Sequence, residues 1–288
     1  MTKPDFIIIG AMKSATSMVH EQLALQSHIY MSNPKEPNYF SDDDVYQLGD
    51  AWYEALFNEC KPDDLCGESS THYTKLPDYS LTVSRMKSKI SSPKFIYIMR
   101  HPIERLISHY MHQWSQNVIK CDINDAIGKF PELISYSCYG MQMQPYFDVY
   151  GADAVLPVFA EMIKVEPQSQ LDRISTHIGY EGRMIWHEDL KPQNVSKQRL
   201  RAFKGYDFLV KSKLMTHLRR KLIPQSIRNK VKSKLTMQQR PELTEASLQK
   251  IKKIVDEDFK LLSTWLGFSI TCDTYHEVIS KQFNLLGS

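Results

Sequence analysis

The sequence has 288 residues, 42% hydrophobic and 24% charged, with a net charge of +3. That is an ordinary globular composition, long enough for one large domain or two small ones and for a core that needs no covalent staples. No apolar run approaches the length of a membrane span. Five scattered cysteines (Cys60, Cys66, Cys121, Cys138, Cys272) form no CxxC pair. They suggest neither a zinc site nor a disulfide framework, and a reducing, cytoplasmic compartment is expected.

The first predicted element is residues 6–9, Phe-Ile-Ile-Ile, apolar at every position and rich in β-branched side chains. Such a run reads as a strand buried on both faces of a parallel sheet. It follows Asp5 rather than a basic segment and ends within a few residues at Lys13, so it is not read as a signal peptide. A helix is expected over residues 17–26, with Val19 and Leu23 one turn apart. Further short apolar runs at Ile29–Met31 and at 65–66, 95–99 and 154–159 read as strands, with helical stretches between them. This alternation predicts an α/β fold around a parallel sheet, whose ligands bind beyond the carboxyl ends of the strands.

A well-marked helix is predicted over residues 103–114. Pro102 suits its first position, and Ile103, Leu106, Ile107, Tyr110 and Trp114 form its core face. A second one carries Leu248, Ile251, Val255, Leu262 and Trp265 on one face and is closed by Gly267. Between Lys197 and Arg240 lie 14 Lys/Arg and one acid, Asp207. That stretch carries about +13, which leaves about −10 for the rest of the chain. One domain over residues 1–288 is expected, with a basic helical insertion around 204–240.

The chemistry concentrates at two strand ends. Residues 6–17 read FIIIGAMKSATS. A strand, a tight turn and a helix N-terminus make an anion site, because the first helical N–H groups lack internal partners and the helix dipole favours negative charge. Lys13 adds a full charge; Ser14, Thr16 and Ser17 add hydroxyl donors. The Walker loop GxxxxGK[ST] is absent. A nucleotide kinase or other phosphotransferase is therefore disfavoured, and the shorter loop suits one phosphate rather than a wrapped triphosphate. Residues 94–110, KFIYIMRHPIERLISHY, deliver Arg100 at a second strand end, with Ser108 on the following helix. Arginine's planar fork suits phosphate. Two cationic sites on one sheet edge suggest a ligand with two separated phosphates. Arg105 is expected to pair with Glu104 or another acid.

These segments, with KEPNYFS at 35–41 and GESSTHY at 67–73, resemble the sulfotransferases that use 3′-phosphoadenosine 5′-phosphosulfate (PAPS). The likeness is strongest to the heparan-sulfate and bacterial branch and extends over most of the chain. The resemblance implies a P-loop-NTPase-like three-layer fold with a central parallel sheet flanked by helices. It implies PAPS as sulfuryl donor, adenosine 3′,5′-bisphosphate (PAP) as product, and no metal. By resemblance the loop at Lys13, Ser14, Ala15, Thr16 and Ser17 holds the 5′-phosphosulfate, and Arg100 and Ser108 hold the 3′-phosphate. A late loop with Ser196, Lys197, Arg199 and Arg201 closes over the nucleotide. Lys13 stabilises charge on the bridging oxygen, and Glu36 is the general base.

Lys35 either contacts the phosphosulfate or holds Glu36. Lys35, Asn38, His72 and Tyr73 are expected at the acceptor. Two positions depart from the branch's glycan-modifying members: Asn38 stands where several have a histidine, and Ser69 where they have a lysine. His72 and His20 are therefore kept as alternative bases, and a small natural product is preferred over a glycan as acceptor. No nucleic-acid partner is expected. The competing non-catalytic reading is a polyanion-binding module built on the basic stretch, whose binding falls steeply with salt.

Overall fold

Residues 6–9 offer no polar side chain to solvent, and the chain accordingly places them at the centre of its sheet. In the computed structural model, which describes residues 4–190, 201, 236–237 and 239–286, the first strand, β1 (Phe6–Gly10), is buried at every position. The other strands are β2 (Ile29–Met31), β3 (Leu65–Ser69), β4 (Lys94–Met99) and β5 (Val155–Phe159). They form one parallel five-stranded sheet in the order β2-β3-β1-β4-β5. The expected runs are all strands. β3 continues three residues further than its apolar part, through Gly67-Glu68-Ser69, which pair with Phe6, Ile7 and Ile8.

Period-two alternation sorts the strand side chains onto two cores. Ile7 and Ile9 of β1, with Phe95, Tyr97 and Met99 of β4, face one side. Helices α5 (Pro102–Ser115), α8 (Tyr139–Tyr150) and α11 (Glu245–Leu266) cover that side with Leu106, Tyr110, Tyr139, Tyr146, Val255 and Phe259. Phe6 and Ile8, with Ile96 and Ile98, face the other. There α1 (Thr16–Ala24), α9 (Ala160–Val165) and α10 (Pro167–Ile178) supply Val19, Leu23, Ile163, Leu171 and Ile174. The result is three layers: helices, sheet, helices.

Smaller elements fill the first side: α2 (Asp43–Tyr46), α3 (Asp50–Ala55), α4 (Thr82–Lys89), α6 (Ile123–Lys129) and α7 (Glu132–Ser135), with α12 (Tyr275–Leu286) at the end. Pro102 opens α5 as expected, and Gly267 closes α11 in a left-handed conformation, φ 75°. Gly10 has a stricter reason for being glycine. A Cβ there would sit 2.0 Å from Thr74 Oγ1, whose hydroxyl donates to the Ile9 carbonyl at 2.8 Å.

Two expectations need correction. Cys60 and Cys66 are joined by a disulfide, while Cys121, Cys138 and Cys272 are free. Spacing hid the pair, because Cys66 lies within β3 and Cys60 in the loop before it. The cysteine argument for a reducing compartment is thereby removed. Arg105 pairs with no acid among the described residues. It is fully buried and turns inward, donating from Nε to Ser137 Oγ and from Nη2 to the Leu133 carbonyl, each at 2.6 Å. The late loop at Ser196, Lys197 and Arg199 and nearly all of the basic stretch lie outside the described residues. No described helix is long and apolar enough to cross a membrane.

Candidate active site

The site lies along the carboxyl edge of β2, β3, β1 and β4. After β1 the chain makes a short turn in which Lys13 (φ 73°) and Ala15 (φ 66°) are left-handed. Ala15 is the N-cap of α1 and supplies no side-chain cap. The first N–H groups of α1 are thus left for another acceptor. Ser14 is fully buried and its Oγ has no hydrogen-bond partner. An orphaned hydroxyl beside an uncapped helix N-terminus and a lysine fits a phosphate group.

Arg100, at the end of β4, reaches the same loop. Its Nη1 stands 3.5 Å from the Lys13 carbonyl oxygen, and its Nη2 donates to Glu104 at 3.1 Å. Glu104 also accepts from Arg240. Burial pushes the Glu104 carboxyl up, but its bond and charge contact with Arg240, then Arg100, outweigh this and hold it below the usual carboxylate range. Ser108 lies two turns into α5 and is 6% exposed.

The second half of the site follows β2. Glu36 (φ 59°) and Asn38 (φ 55°) are left-handed too. Four of the six described non-glycine residues with positive φ therefore lie here, at about 1–2 kcal/mol each. β3 fixes this strained turn: Glu36 N–H donates to the Ser69 carbonyl at 2.9 Å, and Asn38 N–H to Ser70 Oγ at 3.0 Å. The Lys35 ammonium donates both to Glu36 Oε1 and to Ser17 Oγ, at 3.0 Å each. One side chain thus ties the N-terminus of α1 to the carboxylate. Burial pushes the Glu36 carboxyl up, but the charge and hydrogen bond of Lys35, then Lys75 and His72, leave it below its ordinary value.

Both candidate histidines flank Glu36. His20 Nδ1 is 2.9 Å from Ser69 Oγ. Burial, helped by Lys35, pushes its pKa down to about 4. His72 stacks on Tyr79 with ring centroids 4.7 Å apart. Burial, then Lys75, takes it to about 4 as well. Tyr79 also lines a cavity of about 420 Å³ with Asp42, Asp43, Asp44 and Asp78.

Residues 3–263 match the sulfotransferase domain family. The chain belongs to that family. This sulfotransferase domain is 32% identical over 116 residues to the membrane-associated sulfotransferase kil1 of Dictyostelium discoideum, covering 38% of this chain and 24% of that one. It is 22% identical over 207 residues to the bifunctional heparan sulfate N-deacetylase/N-sulfotransferase 1 of Xenopus laevis, covering 65% of this chain and 23% of that one. The chain spans about a quarter of the length of these curated relatives. Its fold matches the crystal structure of a sulfotransferase from Alicyclobacillus acidocaldarius, with a TM-score of 0.63 at 18% identity, covering 94% and 98% of the two chains. The domain thus has the P-loop-NTPase-like, three-layer sulfotransferase fold.

Not every expected residue converges. Tyr73 is 2% exposed and serves the core: its hydroxyl donates to Glu68 Oε1 at 2.6 Å. Arg201 lies at the far end of α5 from Arg100, donating from Nε to Asn117 Oδ1 at 3.0 Å beside the Trp114 ring. Two residues, Glu68 and Lys75, were not assigned a site role from the sequence, and Glu104, expected to pair with Arg105, pairs instead with Arg100. Glu68 is fully buried on β3 and accepts from Tyr53, Tyr73 and Ser70. Burial raises its pKa against those three bonds. Glu104 organises the arginines, and Lys75 enters the electrostatics of Glu36. Only the unusual polarity of GESS inside a strand could have flagged Glu68.

Proposed function

We propose that this domain transfers a sulfuryl group from PAPS to a hydroxyl or amine of a small-molecule acceptor. The observation that carries this reading is the Lys35 bridge, 3.0 Å from Ser17 in the first turn of α1 and 3.0 Å from Glu36. It joins an anion-binding helix N-terminus to a carboxylate, the two functions that sulfuryl transfer requires side by side.

PAPS supplies an activated sulfuryl group whose departure leaves negative charge on the phosphate oxygen. Lys13 stabilises that charge, with the α1 N-terminus and Ser14, Thr16 and Ser17 holding the phosphate. Arg100 and Ser108 hold the 3′-phosphate, Glu104 fixing the guanidinium in place. Glu36 takes the proton from the acceptor as its oxygen or nitrogen bonds to sulfur. Lys35 holds Glu36 ionised and oriented. Burial keeps His20 and His72 neutral at pH 7, but neither is tied to the phosphate site, whereas Glu36 is joined to it through Lys35. This favours Glu36.

Calorimetry tests the reading directly. PAP binds, ATP binds more weakly, and Lys13→Ala and Arg100→Ala each weaken PAP. A protein that binds ATP in preference, or PAP with no dependence on either side chain, is not this enzyme.

A further inference from the structure

The acceptor side buries more positive charge than its partners neutralise. Lys75 follows the short 3-10 turn Thr71–Thr74 and is 8% exposed. Its ammonium stands 5.9 Å from the centroid of the Tyr136 ring. Among the described residues it makes no hydrogen bond or ion pair. Glu36 faces it from the turn after β2, Asp78 from its own loop, His72 from the 3-10 turn, and Arg105 and His109 from α5.

Both carboxylates are already engaged. Glu36 is bonded to Lys35, and Asp78 accepts from the Tyr136 hydroxyl. Arg105 adds a second buried charge, and its Nη1 has no partner. His109 stacks on Tyr136 with centroids 5.5 Å apart, and burial holds it neutral. Burying a cation without a counter-ion is costly, and the cost is relieved by losing the proton or by gaining an anion. Burial pushes Lys75 down to about 8, with Glu36 and Asp78 opposing and Arg105 adding to the push.

We propose that Lys75, backed by the charge of Arg105, selects the acceptor: its ammonium receives an acidic group, a carboxylate or a phosphate, carried beside the hydroxyl or amine to be sulfated. This rests on the sulfotransferase reading and narrows it. An anion at Lys75 gives the ammonium the direct partner it lacks, within electrostatic reach of Glu36, the base proposed for the reacting group. A neutral alcohol leaves the ammonium unpaired. Three of the four aspartates in the cavity beyond Tyr79 are already engaged, which weakens its claim to a cationic acceptor: Asp42 caps α2, Asp43 pairs with Arg85, and Asp78 is bonded to Tyr136. Because a bound anion favours charged Lys75, its affinity is full below pH 8 and falls as the pH rises through about 8.

The test is calorimetry on the whole protein saturated with PAP, titrated with benzoate, phenyl phosphate and benzamide. Benzoate or phenyl phosphate binds, and the tighter of the two identifies the acid; benzamide is at least about tenfold weaker. Lys75→Met loses about tenfold or more in anion affinity and keeps its affinity for PAP, which reports that it is folded. Should the methionine variant not fold, Lys75→Gln and the wild-type pH profile carry the same test. Benzamide binding as well as benzoate, anion binding unchanged in the variants, or no anion binding to the PAP complex overturns the assignment of Lys75 alone. Failure of PAP itself to bind overturns the sulfotransferase reading along with it.

Discussion

The donor and acceptor halves of the sheet edge achieve polarity in different ways. Around β1 and β4 the anion site is largely backbone: an uncapped helix N-terminus, a left-handed loop and one orphaned hydroxyl, with Arg100 leaning on it. Around β2 and β3 it is titratable side chains, Glu36, Lys35, His20, His72 and Lys75, whose fields reach one another. On the proposed function the first half needs little tuning, since its ligand carries fixed charge, while the second half handles a proton, so its pKa values are where the design lies. The two halves meet at Lys35.

If that division holds, substitutions separate cleanly. Glu36→Gln keeps the carboxylate's shape and removes its basicity. Turnover falls by roughly 10²–10⁴ while PAP affinity stays within about twofold; unchanged kcat moves the base elsewhere. Lys13→Ala lowers kcat by roughly 10²–10³ through the lost charge at the leaving oxygen, read in single-turnover assays at saturating donor. Arg100→Ala should act on binding, weakening PAP by about tenfold to a hundredfold with a smaller effect on kcat. An Arg100 effect confined to kcat would dissolve the distinction between the halves.

Two smaller effects probe the support beneath the acceptor half. Glu68→Gln replaces an acceptor of three hydroxyl bonds with an amide that matches only part of them, and costs about 1–3 kcal/mol in urea melts. His20 and His72 are held neutral in the fold, pushed from near 6.5 to about 4. Their stabilising contribution is complete above about pH 6.5 and is lost as the pH falls through about 4, because the unfolded chain takes up those protons first. His20→Gln should flatten the acid limb of the pH–stability curve.

Much of the architecture was legible because β1 and β4 are apolar at nearly every position and α5 carries both its proline start and its helical stripe. β3 was only half legible. Gly67-Glu68-Ser69 has no strand pattern, and it is a strand because hydroxyls from Tyr53, Tyr73 and Ser70 satisfy the buried carboxylate. Tyr73 was expected at the acceptor for its place in the GESSTHY segment, but nothing in that segment shows that its hydroxyl is claimed from below. Arg105 and Arg100 are five residues apart with similar surroundings in sequence. Helix phase alone sends one inward to Ser137 and leaves the other at the strand end.

Sequence alone determined the strands, the order of motifs and the pair of cationic strand ends, because these depend on local periodicity and on residues adjacent in the chain. Tertiary structure decided which carboxylate is bonded to which cation, and which cation is left over. Glu36 sits below its normal pKa, Glu68 above it, and Lys75 is buried with no direct ion pair among the described residues. Those outcomes depend on desolvation and on charges brought together from distant segments, quantities that no spacing along the chain contains.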